Sequence, residues 1–236
     1  MADQGPPPAE SNPWWEGHPD LLPPDPDLRV LHQREYLVRA WKVDGATMMI
    51  RGAVMDLKPG QDIARRITAA GGVDGGGPLT IHHMVVDLFV TYPDLVVAGA
   101  EVAIEVHPQP SCPSISANYD QLIGLPIARG FTHKVRELFG GPRGCTHTTA
   151  LLQAMAPVAL QCVFSMRGGD DGPDAEWYSG GSRPAMEFMR DTCHVWSGSG
   201  ELWKTVEAGG SPPMPLFMRS RLTAAGLDGG AVEMDQ

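Results

Sequence analysis

The spacing of apolar residues changes period once along the chain. Residues 34–43 (REYLVRAWKV) set Tyr36, Val38 and Ala40 against Glu35, Arg39 and Lys42, a loose alternation that predicts a strand. Asp44-Gly45 follows, a dipeptide suited to a type I′ turn, and residues 46–57 (ATMMIRGAVMDL) predict the return strand. Residues 79–91 (LTIHHMVVDLFVT) and 95–106 (LVVAGAEVAIEV), joined through Tyr92-Pro93-Asp94, predict a second hairpin. After Pro110 the period becomes helical. Ile115, Tyr119, Leu122 and Ile123 form one set, closed by Gly124. Phe131, Val135, Leu138 and Phe139 form a second within 127–139, closed by Gly140-Gly141. Leu151, Leu152, Met155, Ala159 and Cys162 share a face of a third helix over 146–164, which Pro157 should kink or break. Strands first and helices after predict an α+β domain: an antiparallel β-meander of about four strands with helices packed on one sheet face.

The flanks read differently. Residues 1–28 hold eight prolines, six acids and no Lys or Arg, too little apolar surface to offset ordering entropy. They read as a disordered segment, or as an arm that docks Trp14 and Trp15 on the core or on a second subunit. Residues 29–221 read as one domain with Gly-rich loops at 70–77 and 167–182, the first preceded by a short amphipathic piece around Ile63 and Ile67. Residues 222–236 read as a flexible tail.

Composition then removes function classes. The 236 residues carry 18 basic and 28 acidic side chains, a net charge of −10, so no broad positive surface is on offer to nucleic acid. No run of 18 apolar residues occurs, so no membrane helix is expected, and the acidic N-terminus is unlike a signal peptide. Four cysteines are too few for a disulfide framework in a chain this long, which favours a cytoplasmic setting and leaves thiol or metal chemistry open.

The candidate chemistry gathers on Cys and His. Cys145 lies in Gly144-Cys145-Thr146-His147, at the predicted start of a helix. Free backbone N–H groups and the helix dipole favour a thiolate there, with Thr146 as a cap. His147, two residues on, is a second ligand or a base, although C-x-H is a weak motif that a buried structural Cys and His also satisfy. His82 and His83 are adjacent in a strand, so one faces the helices and the other the opposite side. Cys112 lies at the junction of sheet and helices, and Cys193-His194 is a further adjacent pair. Cys162 reads as core. His32, Arg34 and Asp56 form either a structural polar cluster or an anion site. Together, one of His82 or His83, Cys112, Cys145, His147, and Cys193 or His194 are candidate ligands for one zinc or iron ion. Cys145 and His147 are the candidate catalytic pair. The intervals of 29 and 32 residues between His82, Cys112 and Cys145 are unlike a zinc finger.

The succession VDG, VMDLKP, LTIHHMVVDLFV, SCPS, YDQLIGLPIARGF, GGPRGCTHTTALLQAMAPVALQ and DTCHVW resembles a bacterial family of unknown function, DUF2889, over about residues 31–196. The family pattern has His-Asp-Met where this chain has His82-His83-Met84, so His82 is the matching position. An antiparallel meander followed by a Cys and then helices is also similar to the iron–sulfur scaffold fold of the IscU/NifU type. That likeness implies a shared pocket for His82, Cys112 and Cys145, although this chain lacks a cysteine at the first of those places.

The expected function is therefore a small-molecule enzyme, of lyase, isomerase, cyclase or hydrolase type, using a Cys/His pocket that holds zinc or iron or works as a thiolate–imidazole pair. The resemblance adds a biosynthetic or catabolic setting. Met48, Met84, Phe89 and Phe131 suggest an apolar or aromatic substrate, and a homodimer is compatible with the Trp-bearing arm. The alternatives are a non-catalytic metal or iron–sulfur carrier and a binding module whose Cys and His are structural.

Overall fold

Four strands, β1 (Gln33–Lys42), β2 (Thr47–Lys58), β3 (Leu79–Thr91) and β4 (Val97–Val106), pair antiparallel in chain order. The computed structural model describes residues 26–58, 78–167 and 186–226. The Trp14–Trp15 arm, the loop at 70–77 with Ile63 and Ile67, residues 168–182 and the last ten residues lie outside the described residues.

The meander has the order that the two hairpins predict, but its first turn differs. Val43 to Ala46 link β1 to β2, and the Ala46 N–H donates to the Asp44 carboxylate at 2.8 Å. Gly45 does not adopt the positive φ that a type I′ turn needs, because the Asp44 side chain supplies the turn's hydrogen bond instead.

The helical layer begins with a 3-10 helix at Cys112–Leu122. Helix α1 (Phe131–Phe139) starts later than residue 127, because Gly130 takes φ +73° and stops any earlier turn. Helix α2 runs Thr146–Arg167 without a break at Pro157. Pro157 lies on the exposed face, where the carbonyl it deprives of a donor, that of Gln153, can bond water. By length and composition α2 could cross a membrane. Here its apolar face packs in the core through Leu151, Leu152, Met155 and Ala159. Two shorter helices follow, α3 (Glu201–Glu207) and α4 (Leu216–Ala224), the latter occupying the start of the segment expected as tail. Trp203 on α3 packs with Met186 and Val206 in a separate small cluster.

Alternation along the strands sends even-numbered residues to the helices. Met48, Ile50 and Val54 of β2 and Met84, Val86, Leu88 and Val90 of β3 are buried in one core with α1, α2 and the 3-10 helix. Met48, Met84 and Phe131 thus pack in the core, Phe131 also lining a cavity of about 430 Å³ with Ile127, Ala156 and Leu160, while Phe89 faces the other side of the sheet. Cys162 packs against the same core, and burial pushes its thiol pKa up.

Gly52 interrupts the apolar row of β2 at a point where α2 packs directly on the strand. A Cβ there would lie 2.7 Å from Met155 Sδ and 2.9 Å from Leu151 Cδ1. Replacing Gly52 by Val should therefore push α2 off the sheet and cost about 1–3 kcal/mol of stability, the usual range for overpacking. Urea unfolding should show a lower midpoint at unchanged slope; an unaltered midpoint would mean that the helix is not seated there.

Candidate metal centre

The apolar row of β2 ends in a carboxylate. Asp56 has the same parity as Met48, Ile50 and Val54, so it faces the helices, and it is 1 % exposed. Strand register sets Arg34 of β1 beside it on one side and His82 of β3 on the other. One row across three strands thus reads Arg34, Asp56, His82, immediately before a register shift between Asp56 and Leu57.

A fourth side chain comes from the helical layer. Cys145 is the residue before α2, and its carbonyl accepts the Thr149 N–H at 2.9 Å, so Cys145 and not Thr146 occupies the cap position. Its own N–H donates to the Tyr119 hydroxyl at 2.9 Å. His147, in the first turn, then reaches Asp56, with Nε2 2.9 Å from Oδ2.

The Asp56 carboxylate is the hub. Arg34 donates Nε to Oδ1 at 2.5 Å and Nη2 to Oδ2 at 2.7 Å, a bidentate fork. His32 Nε2 lies 3.4 Å from Oδ1. These hydrogen bonds from Arg34 hold the Asp56 carboxyl well below the usual carboxylate range, against the opposing effect of burial. Arg34 is raised in turn, by its hydrogen bonds to Asp56. His147 is lowered, first by burial and then by repulsion from His82, so it stays neutral at pH 7.

His82 is unusual within this group. Its ring stacks on that of His147, with centroids 4.0 Å apart and planes at 29°. Nδ1 lies 3.2 Å from Asp56 Oδ2 but off any hydrogen-bond axis, and it is buried without a hydrogen-bond partner. One donor atom each from Asp56, His82 and His147 lie within 4.8 Å of one another, and this buried group could hold a metal ion.

The other sequence candidates fall in four places. Cys145 flanks the group, its Sγ 3.6 Å from His147 Nδ1. Cys112 opens the 3-10 helix, half-buried, and is not a member of the three-donor group. His83 takes the opposite face of β3, between Met55 and Val106. Cys193 and His194 are exposed in a turn. The His32–Arg34–Asp56 cluster does form, and it merges with the histidine site instead of standing apart from it. Asp56 as the centre is what sequence reasoning did not weigh; the available signal was a lone carboxylate at core parity in β2.

A model for a family described as a protein of unknown function, DUF2889, matches residues 32–161, more than half of the chain, and the protein belongs to that family. The match spans His32, Arg34, Asp56, His82, Cys112, Cys145 and His147, and it ends before Cys193 and His194. No curated protein and no solved structure matches the chain.

Two acid limbs of stability follow from the group. His147 titrates lower folded than unfolded, so its contribution is present above the unfolded pKa of about 6.5 and is lost as pH falls below it. Asp56 is also depressed, so its contribution is held above about pH 4 and fades below. Unfolding free energy measured between pH 8 and 3 should fall in both windows, and Asp56→Asn should flatten the lower one relative to wild type. Arg34→Gln strands the buried carboxylate and should cost about 2 kcal/mol, less than for a fully buried pair because Arg34 reaches solvent.

Proposed function

We propose that the protein is a small-molecule enzyme whose reaction depends on one metal ion held by Asp56, His82 and His147. The observation that carries this reading is the His82 Nδ1 atom, buried, unbonded and close to the oxygen that His147 also approaches. A buried nitrogen without a partner costs free energy, and a cation among the three donors would satisfy it. Two imidazoles and one carboxylate suit zinc or iron; the oxygen-seeking calcium and magnesium would choose otherwise.

Such an ion polarises a carbonyl or makes bound water acidic, which fits a lyase, isomerase, cyclase or hydrolase of bacterial metabolism. The chain's own residues do the rest. Arg34 keeps Asp56 ionised and fixes its orientation, the outer-layer role that steadies metal ligands. Tyr119 fixes the Cys145 backbone at the helix start, which sets where His147 enters. Cys145, beside the ring but outside the three-donor group, is the remaining group for proton transfer to a small substrate. A non-catalytic metal carrier would share the ligands and differ in showing no turnover.

A second reading rests on the 3.6 Å approach of Cys145 Sγ to His147 Nδ1. If the Nε2–H of His147 donates to Asp56, the Nδ1 lone pair faces the thiol. Cys145, His147 and Asp56 then form a nucleophile, base and orienting carboxylate.

Elemental analysis of protein purified without oxygen or chelators separates the two. The metal reading expects close to one equivalent of zinc or iron, lost in His82→Ala and Asp56→Asn and kept in Cys145→Ala. Metal-free wild type, even after anaerobic addition of zinc or ferrous iron, would falsify it. The thiol reading instead expects iodoacetamide to label Cys145 at neutral pH at least about tenfold more slowly in His147→Ala, since the base that helps form the thiolate is gone.

A further inference from the structure

The sheet has a second face, made of odd-numbered residues, turned away from α1, α2 and the 3-10 helix. An antiparallel sheet that meets water on one side normally carries polar residues there. This one does not. Register aligns Trp41, Met49, Phe89 and Gly99 in one row across the four strands, and Leu37, Ala53, Val85 and Ala103 in another. None of these residues belongs to the core cluster, and Leu37 and Trp41 are 42 % and 43 % exposed. Between the two apolar rows runs a charged one: Arg39, Arg51, Asp87, Glu101.

The charged row has a direction: charge goes from positive at β1 to negative at β4. A twofold axis parallel to the strands, midway between β2 and β3, reverses strand order while keeping each row opposite itself. It sets Arg39 over Glu101 of a second copy, Arg51 over Asp87, Trp41 over Gly99 and Leu37 over Ala103. The other in-plane axis would set β1 over β1 and like charge over like. Only the first choice sets opposite charges together along the Arg39–Glu101 row.

We propose that this face is the interface of a homodimer, two copies stacked sheet on sheet about a twofold axis along the strands. Aligned stacking of twisted sheets is a standard packing, with about 10 Å between layers. The symmetry is isologous, as in most dimers. The inner charges are already neutralised within each chain, because Arg51 donates Nε and Nη2 to the Asp87 carboxylate at 2.7 and 2.5 Å. Burying them therefore leaves no lone charge in the interface. Four strands about 4.8 Å apart and ten residues long give a face of roughly 19 by 33 Å, enough for the lower range of specific interfaces. The Asp56 group lies on the other face, so the dimer covers none of it.

The test is charge reversal at the ends of the row. Sedimentation equilibrium of the full chain should show a dimer for wild type. Arg39→Glu and Glu101→Arg each place like charges opposite twice per dimer, so each variant alone should raise the dimer dissociation constant by at least about a hundredfold. In an equal mixture of the two variants, the mixed dimer sets the two substituted positions against each other and the two unsubstituted ones against each other. Every contact then joins opposite charges again, so the mixture should recover the dimer, which a misfolded variant could not do. Metal content should be the same in all samples, so failure here is separate from failure of the metal reading. A wild type that stays monomeric at about 100 µM, a dimer that survives both substitutions, or a mixture that stays monomeric would each overturn the proposal.

Discussion

A carboxylate buried at the end of a hydrophobic row constrains everything around it. Asp56 faces the helical layer at 1 % exposure, and an isolated charge there would be prohibitively costly. The strand register answers by bringing Arg34 and His82 to its two sides, and the helical layer by bringing His147. Every element that supplies a partner is thereby fixed relative to β2. A slip of one residue in the β1–β2 or the β2–β3 pairing would turn Arg34 or His82 to the far face and leave the carboxylate stranded. The polar row thus pins strand register as well as forming the site.

The position of α2 follows from two contacts at opposite ends of that logic. At Gly52 the absence of a side chain lets Met155 and Leu151 approach the backbone of β2. Four residues on, Asp56 takes His147 from the first turn of the same helix. Four residues of strand span about 13 Å, and the eight residues from His147 to Met155 span about 12 Å of helix. The matching lengths let one helix touch both points while running along the strand. Tyr119 then ties the helix start to the preceding 3-10 helix through the Cys145 N–H.

Most of this architecture was legible as periodicity. Alternation in 46–57 and 79–91 marks the strands, and the change to helical spacing after Pro110 marks the α+β order. The turn at Asp44-Gly45 departs from expectation because a hydrogen bond from the Ala46 N–H to the Asp44 carboxylate replaces the backbone geometry that the dipeptide suggests. The site was legible only in part. His82 and His147 were visible as polar, reactive side chains at element ends, and Cys145 as a helix-start thiol. Their meeting at Asp56 was not, because it depends on the exact register of β1 and β3 against β2 and on where the start of α2 lies over the sheet, long-range facts that spacing along the chain does not carry. The pattern did hold one clue. Asp56 sits two positions after Val54, at the parity of Met48 and Ile50, where a carboxylate has to be paired.

The tautomer of His147 links the two chemistries that the site can support. Nε2 faces Asp56 and Nδ1 faces Cys145. When Nε2 carries the proton, it donates to Asp56, and Nδ1 is left as an acceptor for the Cys145 thiol. When the Nε2 lone pair is given to a cation shared with Asp56, the proton must sit on Nδ1, and Cys145 changes from donor to acceptor. The same three side chains therefore describe either a thiol relay or a metal ligand with its outer-layer partner, but never both at once. The His82 nitrogen breaks the symmetry between them: the thiol relay leaves it buried without a bond, whereas the metal reading uses it.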